Sequence, residues 1–205
     1  MPSPDPVTER AVPRIGPTKD QIRAVVGRSR ATRSVEERKA GDEARTRSVL
    51  TALGDWRPAV VAAYANVDGE PATGDLIDAI AGWATVLLPV LSRSAGSRRG
   101  PSWAVYEGRT GLRTGLWGIP EPTGAPSGQD ALLAAELVIV PGIAGTTAGD
   151  RLGTGGGWYD RALVGSNAPR WMLLHDDEVY ESLPVDEWDL PVSMVVTERR
   201  VLRCP

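Results

Sequence analysis

The sequence predicts an α/β fold: an open, three-layer, mostly parallel sheet flanked by helices. Three observations carry that expectation. Short apolar runs with the marks of buried strands alternate with segments of helical period, and Gly- or Pro-containing turns separate them. The chain has 205 residues, 41% apolar and 24% charged. That is ordinary globular usage and one domain's length at ~150 residues per domain. A glycine-rich loop stands after a buried strand and opens a helix, where α/β proteins place their ligands.

The elements come in order along the chain. Residues 1–17 hold five prolines and no apolar period, which reads as a disordered, proline-rich tail before a single domain over residues 18–205. From Thr18 to about Arg33, Ile22, Val25 and Val26 recur at helical spacing, with Thr18 as N-cap. Ser34 to Glu37 has capping-box form, a hydroxyl and then, three residues on, a carboxylate. It starts a helix that runs to Leu53, where Gly54 ends it. Ala59 to Val67 is β-leaning, Leu76 to Trp83 helical, and Thr85 to Pro89 a short buried strand closed by proline, which together make a βαβ unit. Trp103 to Tyr106, Leu137 to Val140, Trp171 to Leu174 and, last, Met194 to Thr197 read as strands, and Trp158 to Val164 as a helix. Ligands of such sheets sit at the carboxyl ends of strands, which directs attention to the segments just after Val140 and Leu174.

Charge narrows the partners. The net charge of -3 argues against a general nucleic-acid or membrane-surface binder, which would need a basic field. Residues 1–50 carry 11 Lys and Arg against 7 Asp and Glu, and the remainder 12 against 19, so a polyanion site would draw on the N-terminal segment. Cys204 stands alone, can form no internal disulfide and suits a reducing cytoplasm. The N-terminus lacks the basic start and apolar stretch of a signal peptide. The most apolar segment, residues 131–144, contains Glu136 and is too short to span a bilayer. The expectation is a cytoplasmic monomer that acts on small molecules.

The chemistry concentrates in residues 149–161, where four glycines lie within Gly153 to Gly157. Bare backbone N–H groups there let a phosphate chain approach, and Arg151, Asp160 and Arg161 supply anion charge balance and a metal ligand. A flexible connection is the bland alternative, and neither a Walker A ending nor the dinucleotide fingerprint is present. Lys19, Arg23 and Arg30 fall within one helical stripe, as a cationic face or simply a solvated one. Asp189 is a turn residue or, with Asp160, half of a magnesium site that phosphate oxygens complete. His175 reads as a satisfied strand-end residue, Cys204 sits in a mobile terminus, and no Gly-x-Ser-x-Gly elbow occurs, which disfavours a protein nucleophile. Trp117, in a proline-kinked segment, could face a flat heterocycle or fill a core.

Several of these segments together resemble the 5-formyltetrahydrofolate cyclo-ligase family. The resemblance runs from about Lys19 to Val201. It rests chiefly on Val140-Pro-Gly-Ile-Ala144 and, after it, Arg151-Leu-Gly-Thr-Gly-Gly-Gly-Trp-Tyr-Asp160, with support from Lys19 and Arg23, Tyr64 to Glu70 with Thr73, Trp117 to Pro122, Leu183-Pro with Asp189, and Thr197-Glu198. It implies ATP- and magnesium-dependent conversion of 5-formyltetrahydrofolate to 5,10-methenyltetrahydrofolate with release of ADP and phosphate. In that reaction the formyl oxygen attacks the γ-phosphoryl group, N10 closes the ring and phosphate departs. By matching position, Lys19, Arg23 and Arg151 would contact ATP, with Leu152, Gly153, Thr154, Gly155, Gly156, Gly157, Trp158 and Tyr159 wrapping it. Ala65, Glu70, Trp117, Thr154, Gly155, Gly156, Gly157 and Trp158 would line the folate site, and Asp160 and Asp189 would hold Mg2+. No residue acts as a covalent catalyst. The implied fold is similar to the sugar-phosphate isomerase group. Besides a change near Glu178, where a Gln usually precedes the Leu-Pro segment, three positions depart from the family pattern: Gly145 and Thr146 stand where Phe-Asp is common, and Thr154 where Tyr or Arg is usual. They motivate the alternative of a folate- or nucleotide-binding regulatory paralogue without turnover. A phosphosugar isomerase is a third reading.

Overall fold

In the computed structural model, which describes residues 16–92 and 100–205, two helices come first among the described residues. Helix α1 (Lys19–Thr32) is capped by Thr18 and α2 (Val35–Leu53) by Ser34, each through a reciprocal capping box, with Gln21 and Glu37 as the returning side chains. Gly54 ends α2 at φ +55°. Then come β1 (Val60–Ala62), α3 (Gly74–Ala81), β2 (Thr85–Val90), β3 (Ser102–Val105), the hairpin β4 (Leu112–Thr114) and β5 (Pro120–Pro122), and β6 (Leu137–Pro141). The chain ends with β7 (Ala144–Thr146), β8 (Arg151–Leu152), α4 (Trp158–Ala162), β9 (Arg170–Leu173), β10 (Val179–Tyr180), β11 (Met194–Val196) and β12 (Val201–Arg203).

Among the described residues seven strands form the main sheet, in the order β12-β11-β9-β6-β1-β2-β3. β11, β9, β6, β1 and β2 run parallel, while β3 and β12 close the two edges antiparallel. Apolar alternation along β6 explains why it is central: Leu137 and Ile139 enter one core with α2 and α3, and Val138 and Val140 enter the other with Leu132 and Leu163. The chain winds away from β1 in both directions, to β2 on one side and β6 on the other. The topological switch point therefore lies between β1 and β6, and their carboxyl ends frame a crevice there. A second sheet, β10-β7-β8, extends from the end of β6, and α1 packs on it through Ile22 and Val26 against Ala144, Leu152 and Leu183.

Several expectations need correction. The β-leaning run from Ala59 to Val67 yields only three strand residues, because Asn66, Glu70 and Thr73 tie the continuation into a loop. The helix expected from Trp158 to Val164 stops at Ala162. Met194 to Val196 is not the last strand, since β12 returns antiparallel beside it. Cys204 is anchored rather than mobile: its N–H donates to Ser193 O at 2.9 Å and its side chain packs on the second core. The tail expected over residues 1–17 lies outside the described residues except for Gly16 and Pro17. No helix among the described residues is long and apolar enough to cross a membrane.

Candidate functional site

A cavity of about 550 Å³ opens at the switch point. Its floor is built from the carboxyl ends of three adjacent strands: Tyr64, Ala65, Val67 and Glu70 beyond β1, Pro89 and Leu91 at the end of β2, and Pro141 and Gly142 at the end of β6. Lys19 and Arg23, the loop from Arg151 to Asp160, Trp117 of the β4–β5 hairpin, and Asp186, Trp188 and Asp189 complete its walls. The residues after Val140 thus reach the cleft, as the sheet rule expects. Those after Leu174 do not: His175 to Glu178 lie under α1 and α2 instead, in contact with Arg30 and Arg45.

Position one of α1 aims Lys19 into the cleft. Its Nζ donates to Asp186 Oδ2 at 2.7 Å and to Asp189 Oδ2 at 2.6 Å. Burial alone would lower the ammonium pKa, but the hydrogen bonds and charges of the two aspartates outweigh it and raise the pKa. Burial likewise pushes Asp189 up, and the bonds from Lys19 and the Asp186 amide hold it below the usual carboxylate range. One turn further along α1, Arg23 Nε donates to Gly153 O at 3.0 Å, and Nη1 pairs with Asp20 at 2.6 Å. Gly155, at φ +102°, lies under that guanidinium, and a Cβ there would stand 3.4 Å from Cζ. The close approach accounts for this glycine. Arg30, counted with these two in sequence, shares their helical stripe but lies two turns beyond Arg23 and does not line the cleft. It is buried, bidentate on Glu178 at 2.7 and 2.8 Å, and donates to Gly142 O at 2.8 Å.

Arg151 is buried at the end of β8 and pairs with Asp160, a carboxylate in the first turn of the loop's short helix. The two aspartates expected to bind magnesium thus both face the cleft, each already matched to a cation. Among the described residues no group of three His, Cys, Asp or Glu side chains could hold a metal ion by itself. The donor set fits a magnesium ion that takes one or two carboxylates and completes its shell with phosphate oxygens, not an all-protein cage.

Glu70 caps its own loop, accepting from Val67 N at 3.1 Å. Burial pushes its pKa up against the opposing pull of that bond and of Arg30's charge. Trp117 projects from the hairpin at φ +57°, the one positive-φ non-glycine residue described. It is 60% exposed, so it is no core aromatic, and it meets Trp158 edge-on at 5.8 Å between ring centroids. Glu121, buried beneath the hairpin, accepts from Arg113 at 2.9 Å and Leu91 N at 3.3 Å and so fixes it. The Tyr159 hydroxyl is buried without a hydrogen-bond partner, and its pKa is raised by burial and by Glu70's charge.

Every residue proposed from the sequence for ATP, folate or magnesium lines this one cavity. Sequence reasoning passes over Asp186 and Trp188, although the Asp-x-x-Asp spacing around an indole is an available signal. Gly145 and Thr146, two of the departures, lie in β7 away from the cleft. Thr146 Oγ1 donates to Asp150 Oδ2 at 2.8 Å, and Gly145 accommodates Met172 Cε, which would stand 2.3 Å from a Cβ. His175 is buried, and its Nε2 has no partner, so the expectation of a satisfied residue fails at that atom. Its pKa is lowered to about 3 by burial, with the charges of Arg45, Arg33 and Arg30 adding to the effect.

The family model described as 5-formyltetrahydrofolate cyclo-ligase family matches residues 15–198. The chain is 32% identical over 185 residues to the 5-formyltetrahydrofolate cyclo-ligase of Escherichia coli K12, covering 85% of this chain and 96% of that one. It is 31% identical over 179 residues to that of Mycolicibacterium smegmatis, with 82% and 92% covered. Among solved structures, Aquifex aeolicus 5,10-methenyltetrahydrofolate synthetase superposes with a TM-score of 0.74 at 30% identity, over 90% of this chain and 92% of that one.

Proposed function

The chain belongs to the 5-formyltetrahydrofolate cyclo-ligase family, and from that premise we propose how its cleft works. The protein is an ATP-dependent ligase that converts 5-formyltetrahydrofolate to 5,10-methenyltetrahydrofolate. One observation supports the site assignment above all: residues scattered from position 19 to position 189, drawn from α1, three strand ends, the glycine loop and a hairpin, line a single cavity at the switch point.

The reaction moves a phosphoryl group to the formyl oxygen, releases ADP, and closes the ring when N10 attacks the activated carbon and phosphate leaves. Such chemistry needs position and charge more than a protein nucleophile. Lys19, Arg23 and Arg151 would take the phosphates by exchanging their present carboxylate partners for phosphate oxygens, and the loop from Leu152 to Tyr159 would supply backbone N–H groups. Asp160 and Asp189, released by that exchange, would hold Mg2+, whose chemistry is to neutralise charge on the transferring group. Glu70, held in its own loop, would receive the folate from below, with Ala65, Thr154 and the Trp117–Trp158 corner around the pterin. Trp117 and Trp158 would help to exclude water.

The paralogue without turnover draws no support here, because Gly145 and Thr146 are packed into the small sheet and only Thr154 reaches the cleft. We also propose a single domain over residues 18–205, a monomer working in the cytoplasm on small molecules, and an architecture like that of the sugar-phosphate isomerase group. Purified protein with ATP, MgCl2 and 5-formyltetrahydrofolate should release ADP in step with the near-ultraviolet absorbance of the methenyl product. ADP release that is independent of folate would refute the ligase assignment.

A further inference from the structure

Seven tryptophans are present, and six are engaged. Trp56 meets Trp171, Trp103 meets Tyr159, Trp117 meets Trp158, and Trp83 lies under Arg57. Among the described residues only Trp188 has neither an aromatic nor a cationic partner. It is 69% exposed and lines the cleft.

Its setting is built. Asp189 N donates to Asp186 O at 3.0 Å, which closes a four-residue turn, and Asp186 N donates to Asp189 Oδ2 at 2.9 Å across it. Lys19 then pins both carboxylates. Trp188 is the third residue of this turn, a position whose backbone makes no demand for an aromatic side chain. The turn does not need an indole, and no core covers it. A locked frame thus holds a large flat apolar surface at the cleft wall, beside the two aspartates that Lys19 bridges.

Two flat heterocycles must enter this cavity, the pterin and the nucleobase, and the Trp117–Trp158 corner serves one of them. We propose that Trp188 is the stacking platform for the nucleobase of the phosphate donor. The inference rests on the cyclo-ligase reading for the identity of that donor. Every base has a π face, so a single stack of this kind binds bases without reading their edges. The site therefore selects the triphosphate by charge and holds the base by area.

The test compares wild type, Trp188→Ala and Trp188→Phe, each checked by thermal melting. Calorimetric titrations with ATP and with inorganic tripolyphosphate, in MgCl2 and without folate, give the affinities. Trp188→Ala should weaken ATP binding about tenfold, within the range that one base–aromatic stack contributes, and leave tripolyphosphate binding unchanged. Trp188→Phe should recover most of the loss. Equal weakening of both ligands would assign Trp188 to the frame of the phosphate site and overturn the inference, as would no change in either. A selective rise in KM for 5-formyltetrahydrofolate would hand the indole to the pterin and overturn it too. A wild type that binds ATP through Trp188 yet forms no methenyl product would overturn the ligase reading alone, and one that binds no ATP would overturn both.

Discussion

Replacing Arg30 by Met tests the claim that the floor of the cleft is held by a buried ion pair. The Arg30 and Glu178 side chains are 7% and 1% exposed, joined at 2.7 and 2.8 Å, and the same guanidinium donates to Gly142 O. Methionine keeps the length and the apolar stem, but it strands a carboxylate in the interior and leaves a carbonyl without its donor. Breaking one partner of such a pair costs about 3–5 kcal/mol, and the orphaned carbonyl adds about 1 kcal/mol. A loss of about 5 kcal/mol is expected, a large part of the ~5–15 kcal/mol that stabilises a domain. At ~2–4 °C per kcal/mol for this size, the melting temperature should fall by about 15 °C. Urea unfolding at pH 7, monitored by tryptophan fluorescence, measures the change. Arg30→Met with Glu178→Leu should recover part of it, because the uncompensated charge is gone while Gly142 O and the His175 N–H that donates to Glu178 stay unpaired. A single-mutant loss under about 1 kcal/mol, or a double mutant no better than the single, would refute the account of this pair.

Other outcomes are expected at the site and around it. Asp160→Ala should reduce kcat about 100-fold or more, as loss of one electrostatic group at a reacting phosphoryl does, with the fold retained; ADP release measured against MgCl2 concentration checks this. Trp117→Ala should raise KM for 5-formyltetrahydrofolate about tenfold, as removal of a ring from a stacking corner would, while KM for ATP stays put in steady-state kinetics. His175, neutral and buried with its pKa lowered from 6.5 to about 3, gives a pH effect of definite sign. The unfolded chain takes up the proton first, so this contribution is full above pH 6.5 and drains away as pH falls towards 3. Between pH 6.5 and 5 it amounts to about 2 kcal/mol at 1.36 kcal/mol per unit. Denaturation at pH 7 and pH 5 should show that slope in wild type and not in His175→Asn.

Strands are legible in the sequence where apolar alternation is continuous, as in Leu137 to Pro141, and so are both helix starts, where a hydroxyl precedes Gln21 or Glu37. Features that depend on distant partners stay hidden. The buried stripe of α2 is Gly41, Arg45, Val49 and Leu53, and its first two members look polar or neutral until Asp42, Glu198 and Leu174 O are found around the guanidinium. Arg30 misleads for the same reason: its helical angle matches Lys19, but its partner lies 148 residues away. The glycine loop can be read because backbone exposure is a local property. The turn that presents Trp188 cannot, since Lys19, which locks it, lies 170 residues from Asp189.

Each cation that lines the cleft is already paired with a carboxylate, although Arg151 Nε is buried without a hydrogen-bond partner. Lys19 is shared by Asp186 and Asp189, Arg23 holds Asp20, and Arg151 holds Asp160. Three positive side chains among four carboxylates cast little attractive field into solvent, so a highly charged nucleotide is not drawn in from a distance. Its arrival is an unsteered diffusional encounter. Recognition then happens after contact, as phosphate oxygens displace carboxylates one by one, and it is expressed in how slowly the ligand leaves. A site made in this way offers stray anions no open cation and becomes a strong one only when a chain of phosphates is long enough to claim several partners at once.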